Sequence, residues 1–473
     1  MTRFVMKRSQ AAALVLALIS LTGCGSLVPP SDAPQVPLRE NFRADAVATE
    51  TPLADGVTTT PIATADEWDG FFIDDRLRRV VGLALVGNRS LRASVAAVER
   101  VRAQYGISQS NRWPDLRGST SANLQASDGG NTSRTYTVSL GVAAWEVDLY
   151  NRVGSLEGAA LARFLAQQEI QRSARLSLVA QVADAWLTLA AEGQRQRLAD
   201  ELRTSQQQTL DLTDRQYRLG AASGLQRARA QTAFEAARGE AARSAAAVRQ
   251  ARLALELLAG QPLMDALLPD QQSDKTTALP DVPAALPATV LLQRPDLRAA
   301  EQQLQAAAFD VGTARAARFP RLTLTANAGL RSTGLDKLLS GSGFLSLVPT
   351  LDIPLLDAGG RQAQVDVTEA SRREVMANYE AALQTAFREV ADALAVRDSL
   401  AERLAAQQAQ VAAAERSQNL VEQTYRLGAS SQLELLDAQR QLAAARQGLV
   451  TLRQIEQANR VVLLRALGGR WTL

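Results

Sequence analysis

The stretch Tyr-Arg-Leu-Gly-Ala at residues 217–221 occurs a second time, letter for letter, at residues 425–429. The sequence around it repeats in step, since Val-Ala-Asp-Ala at residues 182–185 returns at residues 390–393. The chain is therefore one unit of about 200 residues written twice, far longer than the units of short-repeat solenoids. Its function should be sought in what two such units build together.

Each copy opens with a predicted helix of moderate length, Leu83–Arg112 in the first and Asp296–Arg318 in the second. An aromatic residue and a proline follow each helix, as Trp113-Pro114 and Phe319-Pro320. Proline disfavours the helical conformation in the residue before it. Both opening helices are therefore expected to end there.

Apolar and polar side chains alternate in two segments after each opening helix, within residues 116–148 and 322–355. In one of these segments Val138, Leu140 and Val142 share a face. Alternation over about ten residues on either side of a loop is typical of a transmembrane β-hairpin, although a half-buried hairpin of a soluble protein gives the same pattern. Four such strands in matching places favour the membrane interpretation.

A very long helix is predicted after each hairpin, at residues 152–218 and 361–426. Good helix formers fill both stretches, and their apolar positions recur with coiled-coil spacing. At 1.5 Å per residue each helix would be roughly 100 Å long. Gly220 and Gly428 should end these helices as C-terminal caps and turn the chain.

Shorter returning helices are predicted at residues 224–258 and 432–467. Each covers only about half of its long partner, and the opening helix of the same copy makes up most of the difference. The hairpins should therefore lie at one end of a helical rod and the turns at the other.

Composition argues against catalysis. The chain has no histidine and one cysteine, Cys24, which removes thiol–imidazole pairs, Ser-His-Asp triads and zinc sites built on these residues. No glycine-rich phosphate loop opens a helix. We predict no enzyme activity, no cofactor and no metal site. Without the basic residues that precede Cys24 the chain is roughly neutral, so no nucleic-acid partner is expected.

The N-terminus has the features of a secretion signal. A basic start is followed by an apolar run at residues 11–21, which is too short to span a bilayer and has the length of a secretory signal core. The run ends in Leu-Thr-Gly-Cys at residues 21–24, which resembles a bacterial lipoprotein box. A signal peptide that merely contains a cysteine is the plainer alternative. We predict a signal peptide over residues 1–23 and lipidation of Cys24, with sorting to the outer membrane.

The remaining boundaries follow from composition. A Pro-, Thr- and Ala-rich lipidated tether is predicted at residues 24–66. The first copy is expected at residues 67–260 and the second at residues 291–473. A Pro-rich connector at residues 261–290 separates them.

The sequence resembles the outer-membrane factors of the TolC type, in the branch of efflux-pump outer-membrane lipoproteins. The resemblance rests on Leu-Gln-Arg-Pro-Asp-Leu-Arg-Ala-Ala-Glu at residues 292–301, on Arg-Phe-Pro at residues 318–320 and on the paired turns. Leu286-Pro287 and the aromatic cluster Trp68, Phe71 and Phe72 also fit, and the lipoprotein box agrees with this branch.

The resemblance implies a mainly α-helical fold with a membrane β-barrel. Three chains would form a long coiled-coil barrel and contribute four strands each to a 12-stranded barrel. Strand number supports a homotrimer independently, because membrane barrels begin at about eight strands. The resemblance also implies a bacterial outer-membrane channel that extends into the periplasm. Its partners would be a periplasmic adaptor protein and an inner-membrane efflux transporter, and toxic small molecules would leave through it.

In this family the channel narrows at the two turns. The resemblance assigns a periplasmic gate to Glu434 and Asp437, with Tyr425 in the position of a gate-holding tyrosine. Leu225-Gln226 and Ser430 depart from the family's gate residues. As an alternative, Glu434 and Asp437 are acids of a solvated first helical turn, where they favourably meet the helix dipole, and Tyr425 is a coiled-coil core residue.

Two other functions remain open. The same duct could export a polypeptide in a type I secretion system. A coiled-coil lipoprotein spacer without a channel would explain the lipoprotein box and the helices, but it leaves the four alternating strands without a role.

Overall fold

A computed structural model describes residues 27–30, 70–126, 132–270 and 288–469. The predictions for the signal peptide, Cys24, Trp68 and most of the tether lie outside these residues. Within them the chain is mostly helical with one antiparallel sheet, which confirms the predicted fold class. In chain order the elements are α1 Asp75–Gly87, α2 Arg89–Ser110, β1 Leu116–Ala126, β2 Thr132–Val147, α3 Arg152–Arg218, α4 Gly224–Ala259, α5 Pro295–Ala316, β3 Arg321–Ser332, β4 Ser342–Asp352, α6 Gly360–Arg426 and α7 Gln432–Ala466.

The predicted opening helix of the first copy, Leu83–Arg112, is wrong in one respect: the structure has two helices there. The backbone of Asn88 is extended, with a ψ of 124°, and this ends the helix Asp75–Gly87. Its side-chain Oδ1 accepts a hydrogen bond of 2.9 Å from the Leu91 N–H, which is the bond of an N-cap. A new helix therefore starts at Arg89.

The chain forms two compact units that do not follow the two copies. The first unit contains residues 97–169 and 298–382 together with the N-terminal segment. The second contains residues 170–297 and 383–473 together with residues 37–96. Each unit thus draws on both copies of the repeat.

The first unit holds the four-stranded sheet, in the order β1-β2-β3-β4 with every neighbouring pair antiparallel. Strands β1 and β2 come from the first copy and β3 and β4 from the second, so β2 and β3 join the copies. Their register shifts between Val142 and Trp145, where Ala144 has a positive φ of 47°. Many apolar side chains of the sheet are exposed in the single chain: Leu116, Leu124, Leu140, Leu345, Leu347 and Leu351.

An ionic cluster ties the end of β2 to the helix that follows it. Both carboxylate oxygens of Glu146 accept hydrogen bonds from Arg152, at 2.8 and 2.6 Å. Arg321 at the start of β3 lies 2.7 Å from the same carboxylate. None of the helices in the described ranges holds an 18-residue stretch apolar enough to cross a membrane.

The second unit is built around an apolar core. Phe71 and Phe72, two of the predicted aromatic residues, are almost fully buried and meet edge to face at 5.0 Å. They pack with residues of α1, α3, α4 and α7, among them Val80, Trp186, Leu255 and Leu464.

Two glycines allow a close backbone crossing in this unit. A Cβ atom on Gly87 would lie 2.5 Å from the Ala259 carbonyl oxygen, and one on Gly260 would lie 2.3 Å from the Gly87 carbonyl oxygen. Asn88 adds a hydrogen bond of 2.9 Å from its Nδ2 to the Leu258 carbonyl oxygen. One asparagine side chain therefore caps α2 and ties it to the end of α4.

Replacement of Asn88 by alanine should lower the free energy of unfolding by about 1–3 kcal/mol, because it removes a helix cap and leaves a carbonyl without its partner. Thermal unfolding of the purified protein in detergent, followed by circular dichroism, measures the loss. Asn378→Ala, at an exposed helical position, is the matched control and should have little effect. Equal melting temperatures for the two variants would contradict the role of Asn88.

Candidate functional site

The two repeated turns have the same backbone structure. Gly220 and Gly428 both have a φ of 75°, a left-handed conformation that favours glycine. At the first turn the Gly220 N–H donates to the Tyr217 carbonyl oxygen at 3.0 Å and the Ala221 N–H to that of Gln216 at 2.8 Å. The second turn has the same bonds at the same lengths. Both long helices thus end in a Schellman motif, as the predicted glycine caps require.

Each returning helix begins with a capping box. Ser223 caps α4, and its backbone N–H donates to the Gln226 side chain at 2.7 Å. Ser431 caps α7, and its backbone N–H donates to Glu434 Oε2 at 2.8 Å. Glu434 and Gln226 occupy the same position of the repeat. The carboxylate of Glu434 therefore has a structural role that a glutamine fills in the other copy.

The surroundings of the two turn tyrosines differ. Tyr217 is 44% exposed, and the Arg227 guanidinium lies over its ring at 5.5 Å. Leu435 takes the place of Arg227 in the second copy and is buried. Burial raises the pKa of Tyr425. The half-buried setting of Tyr425 fits the alternative of a packed coiled-coil residue.

The charges after the two turns are opposite. Arg227 and Arg229 follow the first turn, and both side chains are exposed. Asp437 takes the place of Arg229 in the second copy, and Glu434 lies one turn before it. Asp437 accepts hydrogen bonds of 2.7 Å from Arg440 and from Gln441. Arg227 in turn pairs with Asp214 at 2.7 Å, so a charge after each turn has an opposite partner beside it, while the equivalent positions 229 and 437 carry opposite charges.

Amide and hydroxyl side chains connect the second turn to α3, which sequence analysis missed. Gln432 Nε2 donates to Thr213 Oγ1 at 3.1 Å. Gln206 Nε2 donates to Gln439 Oε1 at 2.8 Å, and Gln439 Nε2 donates to Ser205 Oγ at 3.2 Å. The pairing runs antiparallel, because a later residue of α7 meets an earlier residue of α3. The signal available in the sequence was a glutamine within the apolar face of the predicted returning helix.

The structure thus places Tyr425, Gly428, Glu434 and Asp437 around one turn, with Gly220 at the other. The gate role of these residues stays a prediction. Cys24 lies outside the described residues.

A second polar cluster involves the Arg-Pro-Asp sequence that contributed to the resemblance. Arg294 is only 7% exposed. Its guanidinium contacts Asp296 at 2.8 Å and Glu389 at 2.9 Å, and it donates to the Ala466 carbonyl oxygen at the end of α7 at 3.1 Å. Burial opposes ionisation of Asp296, but the hydrogen bonds and the charge of Arg294 outweigh it and lower the pKa of Asp296. Arg294 therefore joins the start of α5 to α6 and α7.

A family model described as "Outer membrane efflux protein" matches the chain twice, at residues 80–261 and 286–469. The antibiotic efflux pump outer membrane protein ArpC of Pseudomonas putida is 36% identical, over 98% of this chain and 96% of its own length. The cation efflux system protein CusC of Escherichia coli K12 is 34% identical, over 95% of this chain and 97% of its own length.

Solved structures agree with these sequence relatives. The chain is similar to a crystal structure of CusC, with a TM-score of 0.84 and 32% identity over 94% of this chain and all of that one. It is also similar to the open state of the Neisseria gonorrhoeae MtrE outer membrane channel, with a TM-score of 0.82 and 32% identity over 94% of this chain and 98% of that one.

Asp296→Asn should destabilise the protein near neutral pH, and the difference from wild type should shrink in acid. A carboxyl whose pKa is lower in the folded than in the unfolded state stabilises the fold above the unfolded pKa, about 3.9 for aspartate. That contribution is lost as the pH falls through the lowered folded pKa. Melting temperatures of both proteins at pH 7 and pH 3 check this, with the exposed Asp392→Asn as a control. A difference that stays constant over this range would contradict it.

Proposed function

The chain belongs to the outer membrane efflux protein family and is an outer-membrane channel of a tripartite efflux system, and we propose that it acts as a passive homotrimeric exit duct for toxic small molecules. The observation that carries the proposal is the family match, which occurs twice and spans nearly the whole described chain. The structural similarity to channels over 94% of the chain supports it as well.

The homotrimer is supported by the sheet. The sheet of the described residues has four strands, and its outer strands β1 and β4 each leave one edge of backbone groups without a strand partner there. Unpaired edges attract further strands. Three chains contribute twelve strands, which suffice to close the sheet, whereas four strands are too few. The exposed leucines of the sheet would then face lipid or neighbouring chains.

The partners follow from the family. As an efflux-pump component the channel associates with a periplasmic adaptor and an inner-membrane pump. The names of the relatives include antibiotics, toluene and cations, which are small-molecule or ionic cargoes. We propose such a cargo here, and export of a polypeptide is the alternative.

We further propose that Glu434 and Asp437 line the periplasmic constriction and that Tyr425 helps to hold it closed. Their position around one turn, with both carboxylates in the first two turns of the helix that begins at Gln432, supports this role. We also propose that Cys24 is lipidated after removal of residues 1–23, since it is the only cysteine of the chain and ends a lipoprotein-like box.

Deletion of the gene should increase the susceptibility of the host to at least one class of toxic compound, because the exit across the outer membrane is lost. Minimum inhibitory concentrations across dyes, detergents, antibiotics and metal salts measure the effect, and complementation with the wild-type gene is the control. An unchanged panel together with the loss of a secreted polypeptide would favour the alternative.

Glu434→Gln combined with Asp437→Asn should lower the cation preference of the reconstituted channel, because acidic rings in a pore favour cations. Gln at position 434 can preserve the capping box, as Gln226 does in the first copy, so the change removes charge and leaves the turn intact. Reversal potentials in a salt gradient measure the preference, and native mass spectrometry checks the trimer.

Glu235→Gln with Asp265→Asn removes two acids outside the turns and serves as the matched control. Equal reversal potentials for both double variants would remove Glu434 and Asp437 from the pore. A monomeric mass of the conducting wild-type protein would overturn the trimer.

A further inference from the structure

We propose that a groove between α5 and α6, centred on Gly312, is a docking site for residues 27–30 and holds the N-terminal anchor at a fixed place on the first compact unit. We call it the Gly312 groove; Gly312 and Arg315 of α5 and Arg372 of α6 line it, and Ser155 of α3 lies beside the glycine. The docked segment and the groove belong to the same unit.

The glycine is the first argument. A Cβ atom on Gly312 would lie 2.6 Å from Val28 Cγ2 and 3.3 Å from both Val28 Cα and Ser155 Oγ. Glycine within a helix costs about 1 kcal/mol relative to alanine. The absence of a side chain at residue 312 lets Val28 approach α5 closely, because a Cβ atom there would meet the Val28 side chain unless that side chain shifted.

Two arginines on different helices hold the segment by its backbone. Arg315 of α5 donates from Nη1 to the Leu27 carbonyl oxygen at 3.3 Å. Arg372 of α6 donates from Nη2 to the Pro30 carbonyl oxygen at 2.6 Å. Arg315 is itself oriented by an ion pair of 2.9 Å with Glu369. Because proline lacks a backbone N–H, the Pro29-Pro30 pair offers acceptors only, and guanidinium groups are donors only.

The internal repeat provides a comparison within the same molecule. Gly106 of α2 corresponds to Gly312, but a Cβ atom there would meet nothing within 4 Å in the described chain. Gln109 and Phe164 stand where the second copy has Arg315 and Arg372. The first copy therefore has the glycine but neither arginine, so both arginine contacts are specific to the second copy.

The groove limits where an anchor on Cys24 can lie. Cys24 precedes Leu27 by three residues, so their Cα atoms are at most about 11 Å apart. The groove is at the end of α5, and β3 begins at Arg321, only five residues after the last residue of that helix. If Cys24 is lipidated, as proposed above, the acyl chains are held beside the place where the chain enters the sheet. The docking itself does not depend on lipidation.

A pair of cysteines tests the docking in the full-length protein. Val28→Cys removes the Cγ2 atom that a Cβ atom at residue 312 would meet at 2.6 Å, so Val28→Cys with Gly312→Cys places two cysteines side by side in the docked state, close enough for a disulfide. Mild oxidation, trypsin digestion and non-reducing mass spectrometry should find the peptide of residues 24–39 linked to that of residues 299–315. Val28→Cys with Gly106→Cys is the matched control and should give no linked pair. Failure of the first pair to link in folded protein would overturn the docking.

The same spectrum separates docking from lipidation. An acyl mass on Cys24 within the linked peptides supports both. Linked peptides without that mass would overturn the lipidation of Cys24 and leave the docking intact.

A second variant tests the arginine contacts without changing the glycine. Arg372→Gln, added to the Val28→Cys and Gly312→Cys pair, should slow disulfide formation several-fold. Arg373→Gln is the matched control, because Arg373 is the adjacent exposed arginine. Equal rates in both backgrounds would overturn the role of Arg372.

Discussion

A helix of 67 residues can bury an apolar side only if other helices lie beside it, so the chain must turn back after each long helix. Both of these turns depend on a glycine at a φ of 75°. A residue with a Cβ atom rarely adopts that conformation. The two glycines therefore fix where each long helix ends and where its return begins. The capping boxes and the polar contacts between α3 and α7 follow from that position. The repeated five-residue stretch is thus the geometric constraint on which the helical part of the fold is built.

Duplication kept the geometry and changed the chemistry. Both turns have the same backbone hydrogen bonds, yet Glu434 and Asp437 after one turn stand where Gln226 and Arg229 stand after the other. The same holds for Gly106 and Gly312, because only the second copy adds the arginines that hold another segment. The sheet combines the copies in a different way, since β2 and β3 pair across them. Differences between equivalent positions are therefore the best guide to specialised residues in this chain.

Much of the fold could be predicted from sequence because its signals are local or repeated. Glycine caps, proline stops and period-two alternation predicted the long helices, the strands and the turns. The break at Asn88 was missed because the apolar pattern continues through it, and only the side-chain cap and its bond to Leu258 reveal it. The Arg294 cluster was missed because Glu389 is 95 residues away in sequence. The capping role of Glu434 depends on the backbone N–H of Ser431, and residue identity alone could not separate it from a role in the pore.

The polar contact between α3 and α7 has a consequence for how easily these helices can part. When two apolar helix surfaces separate, exposing them to water costs about 25 cal/mol of free energy for each Å². A hydrogen bond between two side chains contributes only about 1 kcal/mol net, because water replaces the lost partner. Among the described residues, Gln206 and Gln432 each bury an Oε1 atom without a hydrogen-bond partner, and hydration of these oxygens would offset part of the cost of separation. Separation of α3 and α7 at these amides would therefore cost less free energy than separation of an apolar contact of the same area.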